Sequence, residues 1–438
     1  MPGIQLISRR FNLTDTSAFK QKLLEWGSQF NSFLLLDNHG YPGRWNKLEM
    51  LAGIGSLATI SAMAGEEAIA KLDAFSKQWK GYWLVGHLGY DLKNETEPGL
   101  FSQYENTIGF ADLSFTVPQC MVQLGKNSAE IIVQDNSLDA ESIFSDITST
   151  EIKNHIEQHP CMQFAATHTR QSYLETVESI RQHIRRGDCY ELNFCMHYHA
   201  QCIGVDPLAL YHSLSARSPN PFGALYRQDD SWVVCASPER YILKVGSSIW
   251  SQPIKGTAPR GSEDSLDDYL RKSLAESKKD RVENVMVVDL VRNDLSRVCR
   301  RGSVQVEELF GIYAYPKVFQ MISTIRGELD ASKSFADIVR STFPMGSMTG
   351  APKRSVMQLT DAYEKAGRGL FSGALGYIDP SGDFDFNVII RSILLNTQTG
   401  NVHYAVGGGI TWQSKAESEW EECQLKASAI KAVFGITD

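Results

Sequence analysis

The chain has 438 residues, 42% of them hydrophobic, with a net charge of -8 and eight cysteines. That length allows about two or three domains, or one large sandwich with a sizeable core. The acidic balance, with no basic run beyond Lys278-Lys279 and Arg300-Arg301, argues against nucleic acid as a partner.

No Cys-x-x-Cys pair and no regular cysteine spacing occurs, so neither a zinc site nor a disulfide framework is expected, and a reducing cytoplasm is the simplest setting. Residues 1–10 lack the apolar stretch of a signal peptide. The longest uncharged run, 50–65, is too short and too rich in Gly, Ser and Thr to span a bilayer, so no membrane segment is expected. From 33 to 124, apolar pieces alternate with Gly-, Asn- and Pro-containing turns, which predicts short strands. Residues 53–58 match a dinucleotide fingerprint, but the preceding 44–49 is too charged for a buried parallel strand.

Residues 134–160 are polar and read as a connector between an N-terminal region, 1–133, and a catalytic region, 161–438. Beyond it, the spacing of Tyr173, Val177, Ile180 and Ile184 predicts an amphipathic helix over 172–186. His197 and His199 share a strand face with no third ligand nearby in sequence, so core or surface roles are expected. Strands are expected at 232–236, 241–245, 384–394 and 402–406, with helices at 266–291 and 417–433. Residues 345–353 resemble a phosphate loop but lack its Gly-Lys-Ser/Thr. Strands and helices do not alternate strictly, so the expected fold is α+β: a large, mixed, mostly antiparallel β-sandwich with helices on its outer faces.

Several residues suggest chemistry. Lys255 lies between Ile254 and Gly256 in a turn-like segment; a desolvated lysine loses its proton and becomes a nucleophile, while the plain alternative is a surface turn lysine. Glu276, Asp280 and Glu283 share one face of the helix expected at 266–291, and Glu419, Glu422 and Lys426 share one face of the last helix. Two helices presenting carboxylates can hold Mg²⁺, although such stripes are usually solvated. Gly407, Gly408 and Gly409 read as a loop that a ligand can approach closely. Arg391, on a strand face with Asp385 and Asn387, could grip a ligand carboxylate or pair with Asp385.

The set Ser237-Pro238-Glu239-Arg240, Pro253-Ile254-Lys255-Gly256-Thr257-Ala258-Pro259-Arg260-Gly261, the segment 279–295, Gly346 to Lys353, Arg391, Gly407-Gly408-Gly409 and Glu419 to Lys426 resembles the chorismate-utilising enzymes. These include the large subunits of anthranilate and aminodeoxychorismate synthases and the isochorismate and salicylate synthases. The likeness is close over about 165–436 and loose before that. Within the family, Pro-Ile-Lys-Gly-Thr is similar to the aminodeoxychorismate branch, where anthranilate synthases carry Pro-Ile-Ala-Gly-Thr.

The resemblance implies that Lys255 attacks C2 of chorismate as the C4 hydroxyl leaves, and that ammonia then enters at C4, giving 4-amino-4-deoxychorismate for 4-aminobenzoate and folate synthesis. Glu239 would be the general acid and base. Glu283 and Glu422 would bind Mg²⁺, with Asp280 and Glu419 acting through water. Arg391, Thr257, Lys426 and the amides of Gly407 and Gly409 would hold the second carboxylate, with Gly256 and Ser347 lining the pocket and Gly408 serving the turn. Gln320, Phe371 and Glu191 depart from the usual His, Tyr and Gln at three pocket positions. No cysteine lies in a glutaminase Gly-x-Cys-x-Gly elbow, so ammonia is expected from a separate glutamine amidotransferase subunit, with pyruvate elimination left to another enzyme. Tryptophan inhibition is not expected, because Leu34-Leu35-Leu36-Asp37 differs from the Leu-Leu-Glu-Ser of inhibited relatives. Other expected possibilities are a different family activity, told apart by product, and a binding subunit without turnover.

Overall fold

Strand Ser32–Asp37 shows how the apolar runs are used: Leu34 enters one hydrophobic core, while Phe33 and Leu35 enter another on the opposite face. Strands buried on both faces need near-continuous apolar sequence, which is why strict alternation with polar residues is rare here. The computed structural model describes residues 6–41, 49–155 and 162–436. Over these residues the chain forms a 12-stranded and a 10-stranded sheet in which every ladder is antiparallel. The first core draws on both sheets, joining Leu34 and Val233 to Phe115 and Ile242. The second lies on the outer face of the larger sheet, where Tyr173, Val177 and Ile180 of helix Arg170–Arg186 meet Phe194 and Tyr404. This is the expected α+β sandwich.

The elements that build the site are β1 (Glu191–Gln201), β2 (Ser231–Ser237), β3 (Arg240–Val245), β4 (Ile254–Pro259), α1 (Asp264–Glu276), α2 (Lys278–Ser296), β5 (Phe384–Val388), β6 (Ser392–Asn396), β7 (Asn401–Ile410) and α3 (Ala416–Val433). The larger sheet runs β2, β6, β7, β1, whereas β3, β4 and β5 belong to the smaller one. The chain therefore changes sheets twice at one end of the sandwich, between β2 and β3 and between β5 and β6. Glu239 sits at the first crossing and Arg391 at the second.

Four local expectations are corrected. The strand expected over 384–394 is two strands, broken where Arg391 adopts a φ of 53°. The helix expected over 266–291 is also two, because Ser277 ends α1 and caps α2, its hydroxyl accepting from the Asp280 amide at 3.3 Å. Glu276 is thus left on α1, exposed, and does not share a helix face with Asp280 and Glu283. Gly407 to Gly409 lie inside β7 rather than in a loop.

The N-terminal third is interleaved with the rest: Ser32–Asp37 pairs with Phe222–Gln228, and Leu84–Leu88 with Ala374–Ile378. Both large cores mix residues from the two parts. Within the stretch read as a connector, Ala140–Ser149 forms a helix that buries Ala140, Ile143 and Ile147, while 156–160 lie outside the described residues. Residues 1–5, much of the charged segment 44–49 and Cys161 are likewise outside them. The seven described cysteines are unpaired. No helix among the described residues is long and apolar enough to cross a membrane.

Candidate active site

Lys255 is on β4, not in a surface turn, and its side chain is only 10% exposed. Its Nζ lies 2.8 Å from Oε1 of Glu191, the first residue of β1. Two features around it require glycine. Gly256 follows with a φ of 92°, and a Cβ there would stand 2.9 Å from Cβ of Asp280 in the first turn of α2. A Cβ on Gly409 would stand 2.6 Å from Glu191 Oε1 and 2.8 Å from Lys255 Nζ. Bare backbone at both positions lets the helix and β7 close around the amine.

The amine is held charged. Burial favours its neutral form, but the carboxylates of Glu191, Glu283 and Glu239 outweigh burial and raise its pKa above the ordinary lysine value. This corrects the expectation of an already neutral nucleophile: the nitrogen is buried and aimed into the site, but it must lose a proton before it can attack. Glu239, 4% exposed, has the opposite bias. Burial pushes it up to about 7, against the hydrogen bond from Ser347 and the charge of Lys255. A carboxyl poised there can give and take a proton near neutral pH.

The two carboxylate helices converge. Lys279 of α2, which the sequence reading passed over, places Nζ 2.9 Å from Glu419 Oε1, 3.8 Å from Glu283 Oε1 and 3.8 Å from Glu422 Oε2. A cation already sits between α2 and α3, and the Glu283 Oε1 oxygen is buried with no hydrogen-bond partner. Burial pushes Glu283 up to about 8 despite Lys255 and Lys279. Glu422 is drawn down to about 2, chiefly by Lys426, which bonds it at 2.6 Å and donates to the Gly407 carbonyl at 2.7 Å. Carboxylate oxygens from two helices, one of them unsatisfied, form a donor set that fits a hard divalent ion.

Arg391 accepts from the Ala236 amide through its carbonyl at 3.2 Å, but its side chain makes no hydrogen bond or ion pair among the described residues, so its guanidinium is available for an anion. Asp385, its expected neighbour, instead grips Arg240 through two bonds of 2.9 Å. The ladder of β7 with β6 ends at Tyr404, whereas that with β1 continues to Ile410. One edge of Gly407, Gly408 and Gly409 therefore has no strand beside it, leaving main-chain groups open to a ligand. Gly408 lies in the strand and not in a turn, and a Cβ there would sit at ordinary contact distance, 3.5 and 3.6 Å, from Glu419 and Glu422. Ser347, in a short helix Gly346–Met348, is buried. Gln320 is buried with its Oε1 unpartnered, and its ladder partner Thr257 is exposed. Phe371 lies in the core shared by the sheets, its ring edge-on to His197 at 6.1 Å.

The histidine pair has a third member that sequence distance concealed. His403 on β7 is the ladder partner of His199 and hydrogen bonds His197 at 3.1 Å. The rings of His197 and His403 lie within 12° of parallel with centroids 5.3 Å apart, and His197 Nδ1 faces His403 Nε2 in that bond. Glu364 backs His197 at 3.3 Å and pairs with the buried Arg368. His197 is thereby bonded through both ring nitrogens, and nitrogens of His197, His199 and His403 lie within 4.8 Å of one another.

The arrangement has counterparts in known proteins. The family described as chorismate binding enzyme matches residues 33–432. The chain belongs to that family. Aminodeoxychorismate synthase of Streptomyces pristinaespiralis is 42% identical over 281 residues, which is 64% of this chain and 38% of that protein. Aminodeoxychorismate synthase component 1 of Bacillus subtilis is 34% identical over 292 residues, covering 67% of this chain and 61% of that one. The chain thus spans less than two thirds of the length of these relatives. Two solved structures share the fold. Anthranilate synthase component I from Streptococcus pneumoniae aligns with a TM-score of 0.75 at 23% identity, over 90% of this chain and 93% of that one. The menaquinone-specific isochorismate synthase from Escherichia coli gives 0.78 at 17% identity, over 99% and 95%.

Proposed function

We propose that this chorismate-binding enzyme converts chorismate and ammonia to 4-amino-4-deoxychorismate, with Lys255 as a covalent nucleophile and Glu239 as general acid and base. The observation that carries the reading is the buried Lys255 amine, flanked by Glu191 and the bare backbone of Gly409, with the charge of Glu239 acting on it from the first sheet crossing. The relatives named aminodeoxychorismate synthase support the same product.

In this reading the lone pair of Lys255 forms a bond to C2, the two ring double bonds shift, and the C4 hydroxyl departs as water with a proton from Glu239. Ammonia then bonds C4, the shift reverses, and the C2–N bond to Lys255 breaks. The new ammonium returns a proton to Glu239. Splitting one displacement into two directs the amine to the carbon the hydroxyl left.

Glu283 and Glu422 would hold Mg²⁺, with Asp280 and Glu419 through water, and the ion would neutralise the ring carboxylate of the substrate. The residues present fit it, since Lys279 already marks a cation position between the helices. Arg391 would take the other carboxylate with the open edge of Gly407 and Gly409. Lys426 holds Glu422 and the Gly407 carbonyl in place. Ammonia would come from a separate glutamine amidotransferase, a proposal supported by relatives named component 1. A cytoplasmic setting completes the reading. Incubation with chorismate, Mg²⁺ and ammonium should yield 4-amino-4-deoxychorismate; anthranilate as the product would reject the assignment.

A further inference from the structure

We infer that Glu191 is the proton acceptor that frees the lone pair of Lys255, an inference that deepens the reading above and rests on it. The sequence reading marked Glu191 only as a departure from glutamine. In the fold it opens β1, is 1% exposed, and gives one oxygen to Lys255 Nζ at 2.8 Å. Its second oxygen, Oε2, is buried with no hydrogen-bond partner. A buried carboxylate with one oxygen unpaired is costly to maintain for structure alone, and glutamine would fill the same volume without a charge.

Charged groups act on the amine from the elements around it: Glu191 from β1, Glu239 from the β2–β3 crossing, Glu283 from α2 and Glu422 from α3, while Lys426 of α3 acts on Glu239 and Glu422. These carboxylates favour the ammonium, yet only Glu191 is paired with it within 4 Å among the described residues. Glu239 must itself carry a proton to release the hydroxyl, so it cannot serve as the acceptor at the same moment. Glu283 faces the cation position between the helices. Gly409 keeps the space beside the Glu191–Lys255 pair clear of any side chain.

The step balances. A Lys255 N–H bond breaks and its proton bonds to Glu191, leaving a neutral amine and a carboxylic acid. The amine attacks C2, and water leaves C4 with the proton from Glu239. When ammonia displaces Lys255, the released amine recovers its proton from Glu191, while the new C4 ammonium gives one to Glu239. The net change is chorismate plus ammonia to the amino product plus water.

Glu191→Gln and Glu191→Asp test this with two readouts on the intact protein. The first is turnover of chorismate with saturating ammonium from pH 7 to 10. The second, which needs no chorismate, is labelling of Lys255 by trinitrobenzenesulfonate across the same range, read by peptide mass spectrometry. Glu191→Gln should move the labelling midpoint to lower pH and cut turnover at pH 7 at least about tenfold. Relative to the unmodified chain at the same pH, which shares any loss from ionisation of Glu239, its turnover should then recover as pH rises, following its own labelling midpoint, because an amine that is neutral without help no longer needs an acceptor. Glu191→Asp should retain more activity at pH 7 than the glutamine variant. Loss of turnover that is the same at every pH would assign Glu191 to positioning alone, and unchanged turnover would remove it from the mechanism; either overturns the inference. An unmodified chain that makes another product, or none, would instead defeat the underlying functional reading.

Discussion

Replacing Glu239 by glutamine should make the protein more stable and less active, with the stability gain appearing only at higher pH. Raising a carboxyl from 4.5 to about 7 makes its charged form in the fold about 3 kcal/mol less favourable. Between those two values the folded chain keeps a proton that the unfolded chain gives up. Stability therefore falls as pH rises through that window, and stays lower above it. Glutamine preserves the shape and never ionises. Relative to the unmodified chain, Glu239→Gln should thus gain about 3 kcal/mol between pH 4.5 and pH 8. With an unfolding entropy near 2.1 cal/mol/K per residue over 438 residues, that corresponds to a Tm difference of about 3 °C at pH 8 that shrinks toward zero near pH 4.5. Differential scanning fluorimetry at several pH values reads it directly. Turnover should fall about 10² to 10⁴-fold, the usual contribution of a positioned acid and base. A Tm difference that does not change with pH would refute the burial argument, and undiminished turnover would refute the catalytic one.

Lys255→Ala should lower turnover more than about 10³-fold while leaving chorismate binding measurable by calorimetry. Arg391→Ala should raise KM for chorismate at least about tenfold with a smaller change in kcat, since an unpartnered guanidinium is expected to bind the ground state; unchanged KM would place the second carboxylate elsewhere. Lys279→Met removes the ammonium lying among Glu419, Glu283 and Glu422, so Mn²⁺ binding followed by electron paramagnetic resonance should tighten by about tenfold, or about 1.4 kcal/mol. Absence of Mn²⁺ binding in both proteins would remove the divalent ion from the scheme.

The sandwich is legible because its strands, though mostly short, are apolar and rich in β-branched and aromatic residues. So are the residues the site brings together: Lys255, Glu239, the carboxylates of α2 and α3, and the three glycines. What escaped is instructive. Arg391 reads as a strand residue because 384–394 alternates apolar with polar residues and then runs apolar, and nothing in that run signals that the chain leaves one sheet for the other at a residue with positive φ. Three consecutive glycines suggest a loop, whereas they lie in β7, where a Cβ on Gly407 would collide with β1 and one on Gly409 with Glu191 and Lys255. The break between α1 and α2 could have been found, since Ser277-Lys278-Lys279-Asp280 has the spacing of a helix cap.

Cross-strand partners are invisible to local reading. His403 beside His199, Asp385 on Arg240 and Glu191 on Lys255 each join segments at least 64 residues apart, of which only the last changes the chemistry. Its consequence is that the Lys255 amine is held as an ammonium, which under the proposed scheme must give up a proton before it attacks.

The central claim is that Lys255 bonds to the substrate ring. Acid quenching of the protein with chorismate and Mg²⁺ in the absence of ammonium, followed by proteolysis and mass spectrometry, tests it most directly. The account predicts an adduct of chorismate less one water on the peptide containing Lys255, disappearing when ammonium is added. Full turnover to the amino product by Lys255→Ala, with no adduct on the unmodified chain, would contradict it.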